Sequence, residues 1–317
     1  MIQVSNLSKK FDSFCAVDDI SFTVQPGEVL GFLGPNGAGK STTMKIITGF
    51  LSPSAGEVTV MGHNVKKDPI AAQSEIGYLP EGAPSYDDMT VLASLQFIGK
   101  ARGFFGKELQ QRIESVVAKV ELESVLKKRV ETLSKGFRRR LGIAQALIHD
   151  PKVLILDEPT DGLDPNQKHQ VRELIRNLSE DKTVIVSTHI LEEVSAVCSR
   201  AMILANGKIV FDGTPAELAA KSDFHNAVTI RLGKHSEVVI AALKKLPNVK
   251  HVSVSSDDLI TVFANDGQSI LAEVNQVLQR GNCLLDELHV EVGRLDDVFR
   301  KVTLNATLEE TTSEEQV

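Results

Sequence analysis

Along residues 2–33 apolar positions recur at every second residue. Ile2 to Leu7 alternates, as does Ile20 to Val24, which is the period of strands with one buried face. Gln25-Pro26-Gly27-Glu28 reads as a turn, and Val29 to Leu33 is a continuous apolar run that reads as a buried strand. Met44-Lys45-Ile46-Ile47 reads as helix, Pro53 to Gly56 as a turn, and Glu57 to Met61 as another strand. Ile76 to Leu79 is a short strand ended by Pro80, with a turn through Gly82, Ala83 and Pro84. From Thr90 to about Lys128 the period becomes helical, with Leu109, Ile113, Val116, Val117 and Val120 on one stripe. This predicts a helical insertion, about 88–150, within an α/β domain. Gly103-Phe104-Phe105-Gly106 interrupts it. Its phenylalanines either form a docking patch or plug the base of a helical hairpin, and the plug is the favoured reading.

Arg138 to His149 reads as a further helix, with Ser134 placed as its N-cap. Val153 to Leu156 reads as a buried parallel strand that carries Asp157 and Glu158 at its C-terminal edge. Asp164-Pro165 opens the next helix, Thr183 to Ser187 the next strand, and Ile190 to Val197 the helix after it. Alternation of this kind predicts a largely parallel sheet with ligand at the strand C-termini. Beyond it, Ala201–Leu204 and Lys208–Phe211 flank Asn206-Gly207, a hairpin signal. Pro215 to Lys221 reads as a short helix, and the polar Ser222-Asp223 pair marks a boundary.

After the boundary the expected order is strand 227–232, helix 236–246, strands 249–254 and 259–263, helix 268–280, strand 283–292 and a helix from about 294. That βαββαβ order is ferredoxin-like. The expected organisation is therefore a nucleotide-binding domain over 1–222, a small α+β domain over 223–305, and an acidic, disordered tail over 306–317.

Composition changes this picture little. The 317 residues are 42% apolar and 24% charged, ordinary for a globular protein, and the net charge of −7 gives no bulk attraction to nucleic acid or anionic lipid. Cys15, Cys198 and Cys283 have no paired spacing, which excludes a disulfide frame or a cysteine metal site and fits a reducing compartment. No window approaches the roughly 18 continuous apolar residues of a spanning helix, and the start of the chain has no leader pattern. The expectation is a cytoplasmic protein that meets a membrane only through a partner.

The chemistry sits on three motifs. Gly34-Pro35-Asn36-Gly37-Ala38-Gly39-Lys40-Ser41-Thr42 joins a strand to a helix, which is the phosphate-binding loop pattern. Its glycines let successive backbone amides converge on one anion, to which the helix start adds its positive end. The Lys40 ammonium can reach the outer phosphates, and the Ser41 hydroxyl suits Mg²⁺. The chain is expected to bind a nucleoside triphosphate. Downstream, Leu154 to Thr160 reads as a Walker-B strand. Asp157 is the metal-side carboxylate, and Glu158 is a general base or water-positioning group beyond the γ-phosphate. Third, Leu133-Ser134-Lys135-Gly136-Phe137 is a capped helix start that can also hold an anion.

In this order the motifs resemble those of an ATP-binding cassette (ABC) ATPase, over residues 1 to about 220. Leu133 to Phe137 stands for the family's signature, Asp161-Gly162-Leu163-Asp164 for its D-loop, and Ser187-Thr188-His189 for its switch region. The resemblance implies a P-loop NTPase cassette, with a mixed sheet core, antiparallel N-terminal strands and a helical insertion. It makes His189 the γ-phosphate sensor and Phe11 the ring that stacks on adenine. It also implies that two cassettes pair head to tail, so that Ser134 and Gly136 of one close over ATP held by Lys40 of the other.

Three departures stand out. Lys135 and Phe137 replace the Gly and Gln of the usual signature, and Lys135 either adds charge near the phosphates or faces solvent. Glu81 stands where the family usually has the Q-loop glutamine. Its carboxylate can meet Mg²⁺ or water, or it is a solvated turn residue. Glu81, the Leu133–Arg140 segment and the closing Leu295–Thr303 stretch resemble one branch, the ATPase subunits of drug-export and gliding-motility transporters. These pair with separate membrane permeases. The expected function is an ATP-hydrolysing homodimer that powers export. The alternatives are a soluble non-transport cassette or a nucleotide-dependent regulator. A GTPase is disfavoured, since neither Asn-Lys-x-Asp nor an Asp-x-x-Gly switch is present.

Overall fold

A computed structural model describes residues 1–232, 237–255, 259–281, 285–301 and 303. Met1–Asp212 form one unit, and the described chain from Gly213 onward forms a second. In the first unit, β1 (Ile2–Phe11) and β2 (Phe14–Val24) make an antiparallel hairpin. Both strands run further than the apolar alternation suggests. The register shifts between Val4 and Leu7, Leu7 and Lys9, and Lys9 and Lys10, and each irregularity breaks the two-residue period. Then follow β3 (Val29–Leu33), α1 (Lys40–Ile47), β4 (Ala55–Val60), β5 (His63–Asn64), a short α2 (Pro69–Ser74) and β6 (Ile76–Leu79).

The helical segment holds α3 (Val91–Ala101), α4 (Gly106–Val120) and α5 (Lys135–Leu147). Helix α5 starts three residues earlier than its apolar period suggests. The Ser134 hydroxyl caps it, accepting from the Phe137 amide at 3.4 Å. The two phenylalanines before α4 divide the roles offered for them. Phe104 packs on the helical core with Arg112 over its ring at 3.9 Å, and Phe105 is exposed. The remaining elements of the unit are β7 (Val153–Asp157), α6 (Pro165–Ser179), β8 (Thr183–Ser187), α7 (Leu191–Val197), β9 (Arg200–Ala205) and β10 (Lys208–Gly213).

Strands β2-β1-β4-β5 form one sheet and β10-β9-β3-β8-β7-β6 another. In the second sheet β9, β3, β8, β7 and β6 pair in parallel. Its central strands alternate between two cores, because successive side chains point to opposite faces. Val153, Ile155 and Ile185 pack with α1 and the antiparallel sheet, whereas Leu154, Leu156, Val184 and Val186 pack with the helical segment. Burial on both faces explains the unbroken apolar runs of β3, β7 and β8. The parallel register brings the ends of β3, β8, β7 and β6 to a single edge.

The second unit opens with α8 (Pro215–Ala220), held by a capping box between Thr214 and Glu217. It continues through β11 (Val228–Leu232), α9 (Glu237–Leu243), β12 (Val249–Val254), β13 (Leu259–Ala264), α10 (Leu271–Arg280) and β14 (Leu285–Val290), with helix again over 295–301. The antiparallel order β12-β13-β11-β14 is the ferredoxin-like arrangement. Val228, Ile230, Ile260 and Val262 face Val239, Leu243, Val274 and Leu278, which gives the unit a core of its own. Ser236, Cys283 and the acidic tail 306–317 lie outside the described residues. Among those described, no helix is long and apolar enough to cross a membrane.

Candidate nucleotide-binding and hydrolysis site

Residues 34–39 leave the end of β3 and turn directly into α1. Two glycines fix the path. Gly34 has φ 155°, and a β-carbon there would lie 2.5 Å from the Leu204 carbonyl oxygen. Gly39, at φ 102° before the first turn of α1, would meet the Ala16 carbonyl oxygen at 2.4 Å. The loop is thus seated on both β2 and β9. Pro35, Asn36 and Gly37 are exposed at its crest, Ala38 is buried, and Ser41 and Thr42 are half-buried in the first turn of the helix. Lys40 is buried, and its Nζ donates to the carbonyls of Gly34 at 2.7 Å and Pro35 at 3.1 Å. Burial lowers the pKa of this ammonium, opposed by the carboxylates of Glu158, Asp157 and Glu81.

Next to this loop, β8 and β7 deliver the acidic edge. Asp157 is buried at the end of β7 and accepts from the Ser187 hydroxyl at the end of β8. The next residue, Glu158, sits in the left-handed region at φ 49°. Its amide donates to the Ser187 carbonyl at 3.2 Å and to the Ser187 hydroxyl at 3.1 Å, so a single serine orders both acids. The Glu158 carboxylate lies 2.9 Å from His189 Nδ1. Burial raises the pKa of Glu158, opposed by the hydrogen bond to His189 and by Lys40.

Below them lies a group the sequence pattern hides. Glu193 is buried in α7 and accepts from Thr188 at 2.9 Å and from Thr160, with Arg172 at 3.8 Å. It ties the segment carrying His189 to the segment after Glu158. A glutamate on a short amphipathic helix reads as a surface residue, and the sequence held no signal of this role.

The other predicted residues are placed as follows. Phe11 ends β1 opposite Phe14, half-exposed, with the Lys9 ammonium 5.0 Å from its ring centroid. Its strand partner β2 carries Ala16, which abuts Gly39. Glu81 is exposed in the turn that follows β6, on the same sheet edge as Asp157. Ser134 and Gly136 face a groove shared with Phe137, Arg140, Gln167 and Gln170. Among the described residues no hydrogen bond or ion pair joins them to the phosphate loop. Lys135 is exposed, with its ammonium alongside Gly162.

Comparison with known proteins decides the family. The ABC transporter family model matches residues 17–161. The linearmycin resistance ATP-binding protein of Bacillus subtilis is 32% identical over 305 residues, covering 96% of this chain and 98% of its own. The chain belongs to the ABC transporter ATP-binding family. The Nod factor export ATP-binding protein I of Rhizobium sp. (strain N33) is 34% identical over 303 residues, or 95% of this chain and 96% of its own. A solved ATP-binding cassette in a dimeric post-hydrolysis state with ADP and phosphate superposes with a TM-score of 0.62 at 26% identity, over 68% of this chain and 99% of that one.

As an ABC ATPase the chain binds and hydrolyses ATP, and its relatives are named for export and drug resistance. The donor set also suits Mg²⁺. Ser41, Asp157 and Glu81 offer only oxygen, as a hard divalent ion requires. Among the described residues no group of three or more His, Cys, Asp or Glu side chains could hold a metal alone.

Proposed function

We propose that this chain is the motor subunit of an exporter. It homodimerises through its ATP sites beneath a separate membrane permease and lies on the cytoplasmic face through that partner. The observation that carries this reading is the single edge on which Lys40, Asp157, Glu158 and His189 meet, in a chain whose full-length relatives are named for linearmycin resistance and for Nod factor export. In this reading Gly34 to Thr42 hold the β- and γ-phosphates, and Phe11 stacks on the adenine. Ser41 and Asp157, with Glu81 beside them, would hold Mg²⁺, whose chemistry there would be to neutralise phosphate charge. Glu158 orients the attacking water or accepts its proton, and its contact with His189 holds the carboxylate in place. Ser134 and Gly136, turned toward an open groove, close over the ATP of a second copy.

The permease side is supported by an aromatic pair near the turn of Glu81. Tyr86 and Phe97 are both exposed and meet edge-to-face at 5.6 Å. Affinity capture of the tagged chain from detergent-extracted membranes of its own host tests the reading. A protein with several spanning helices is expected in the eluate, and recovery of the ATPase without one would contradict the transporter assignment.

A further inference from the structure

Helix α5 carries a buried cation that the roles above do not use. Arg139 is only 6% exposed, its Nη1 makes no hydrogen bond, and among the described residues it has no ion pair within 4.0 Å. One turn along the same face, a β-carbon on Gly142 would lie 2.5 Å from Leu79 and 3.1 Å from Ala83. This face of α5 therefore packs directly on the end of β6 and on the turn that holds Glu81. Arg139 lines a cavity of about 410 Å³ with Gly82, Ala83 and Asp161; the other cations there are Arg138, which pairs with Asp87 at 3.3 Å, and the exposed Lys135. A guanidinium taken out of water without a direct partner is costly, so its surroundings must hold compensating charge. They do: Asp161, Glu158, Glu81 and Asp157, in that order of effect, all favour its charged form against the burial that disfavours it.

The charge balance of the site explains why a cation belongs there. The exposed carboxylate of Glu81 adds a third negative charge, after Glu158 and Asp157, to those acting on Lys40. We propose that Arg139 is a positioning residue and the internal counter-cation of the ATP site, and that it offsets Glu81 so that MgATP binds beside an anionic residue. It acts through space from the face of α5 that packs on the turn of Glu81. It touches neither nucleotide nor metal. The helix that offers Ser134 and Gly136 to a second subunit would thus also hold, through Arg139, the electrostatics of its own.

The inference rests on the assignment of Lys40, Asp157 and Glu158 to the ATP site, and the test separates the two. Equilibrium binding of MgATP is measured for the wild type, Arg139→Gln, Arg139→Lys, Glu81→Gln and the double Glu81→Gln/Arg139→Gln, with an unfolding midpoint for each. Arg139→Gln is expected to weaken binding about tenfold, the scale of a single partly screened charge interaction. Arg139→Lys keeps the charge and binds like the wild type. Adding Glu81→Gln to Arg139→Gln restores binding to within about threefold, the signature of coupled sites, because the amide oxygen keeps a donor for Mg²⁺ and only the charge is removed. A packing role would lower the unfolding midpoint of Arg139→Gln and give no such rescue. Wild-type affinity in Arg139→Gln, equal weakness in Arg139→Lys, or a double variant as weak as Arg139→Gln would each overturn the proposal. Failure of the wild type to bind MgATP would overturn the site assignment instead.

Discussion

Three hydroxyl–carboxylate hydrogen bonds order the hydrolytic edge at the scale of single residues. Ser187 donates to Asp157 and holds the amide of Glu158, and Thr188 and Thr160 both donate to Glu193. Each acid is thereby fixed before any ligand arrives, as a preorganised site requires. In the proposed site the nucleobase end depends on one ring. Replacing Phe11 with Ala is expected to raise the KM for ATP about tenfold with little change in kcat, since stacking contributes on the order of 1–3 kcal/mol per base. Phe11→Tyr should behave like the wild type, and steady-state kinetics distinguish the two. Asp157 and Glu158 could be singled out in the sequence because they close an apolar strand, and His189 only through the resemblance of the motif order. The pairing of Ser187 with Asp157, and of Glu193 with Thr160 and Thr188, was not legible. Their roles depend on pairing across the sheet and on a buried helix face that no local period reports.

At the scale of elements, β6 and α5 form the joint on which the site's departures from family pattern converge. A β-carbon on Gly77 would come within 2.3 Å of the Ala146 carbonyl oxygen, so strand and helix approach as closely as backbones allow. At the far end of the joint, His149 Nε2 lies 3.0 Å from the Ile76 carbonyl. A carbonyl only accepts, so Nε2 carries the proton and the ring is neutral. Burial, with Arg102 nearby, pushes the pKa of His149 down to about 4. The unfolded chain takes up this proton near pH 6.5. Between those values the unfolded state therefore binds more protons, and stability must fall as the pH drops from about 6.5 toward about 4. Denaturant unfolding of wild type against His149→Gln across that range checks the sign, and the variant should lose part of the slope. Sequence periodicity located this helix but misplaced its start, because its first turn of polar and basic residues is set by the Ser134 cap. The strands β1 and β2 were likewise under-read, since bulges erase the alternation that would have revealed them.

For the whole molecule, the order of elements was enough to give the architecture, because short connections and parallel crossovers leave few alternatives. The ferredoxin-like order of the second unit emerged from six short segments on the same grounds. What the order could not supply was the interleaving of β8 between β3 and β7, which sets Ser187 beside Asp157 and brings His189 to Glu158. That edge is one half of the ATP-driven clamp proposed here, with Ser134 and Gly136 of a second chain as the other half. Sizing chromatography of Glu158→Gln with MgATP tests that claim most directly. The variant should lose steady-state hydrolysis and elute as an ATP-containing dimer, and adding Ser134→Arg should return it to a monomer. Undiminished turnover in Glu158→Gln, an ATP-bound species that stays monomeric, or a dimer indifferent to Ser134→Arg would contradict it.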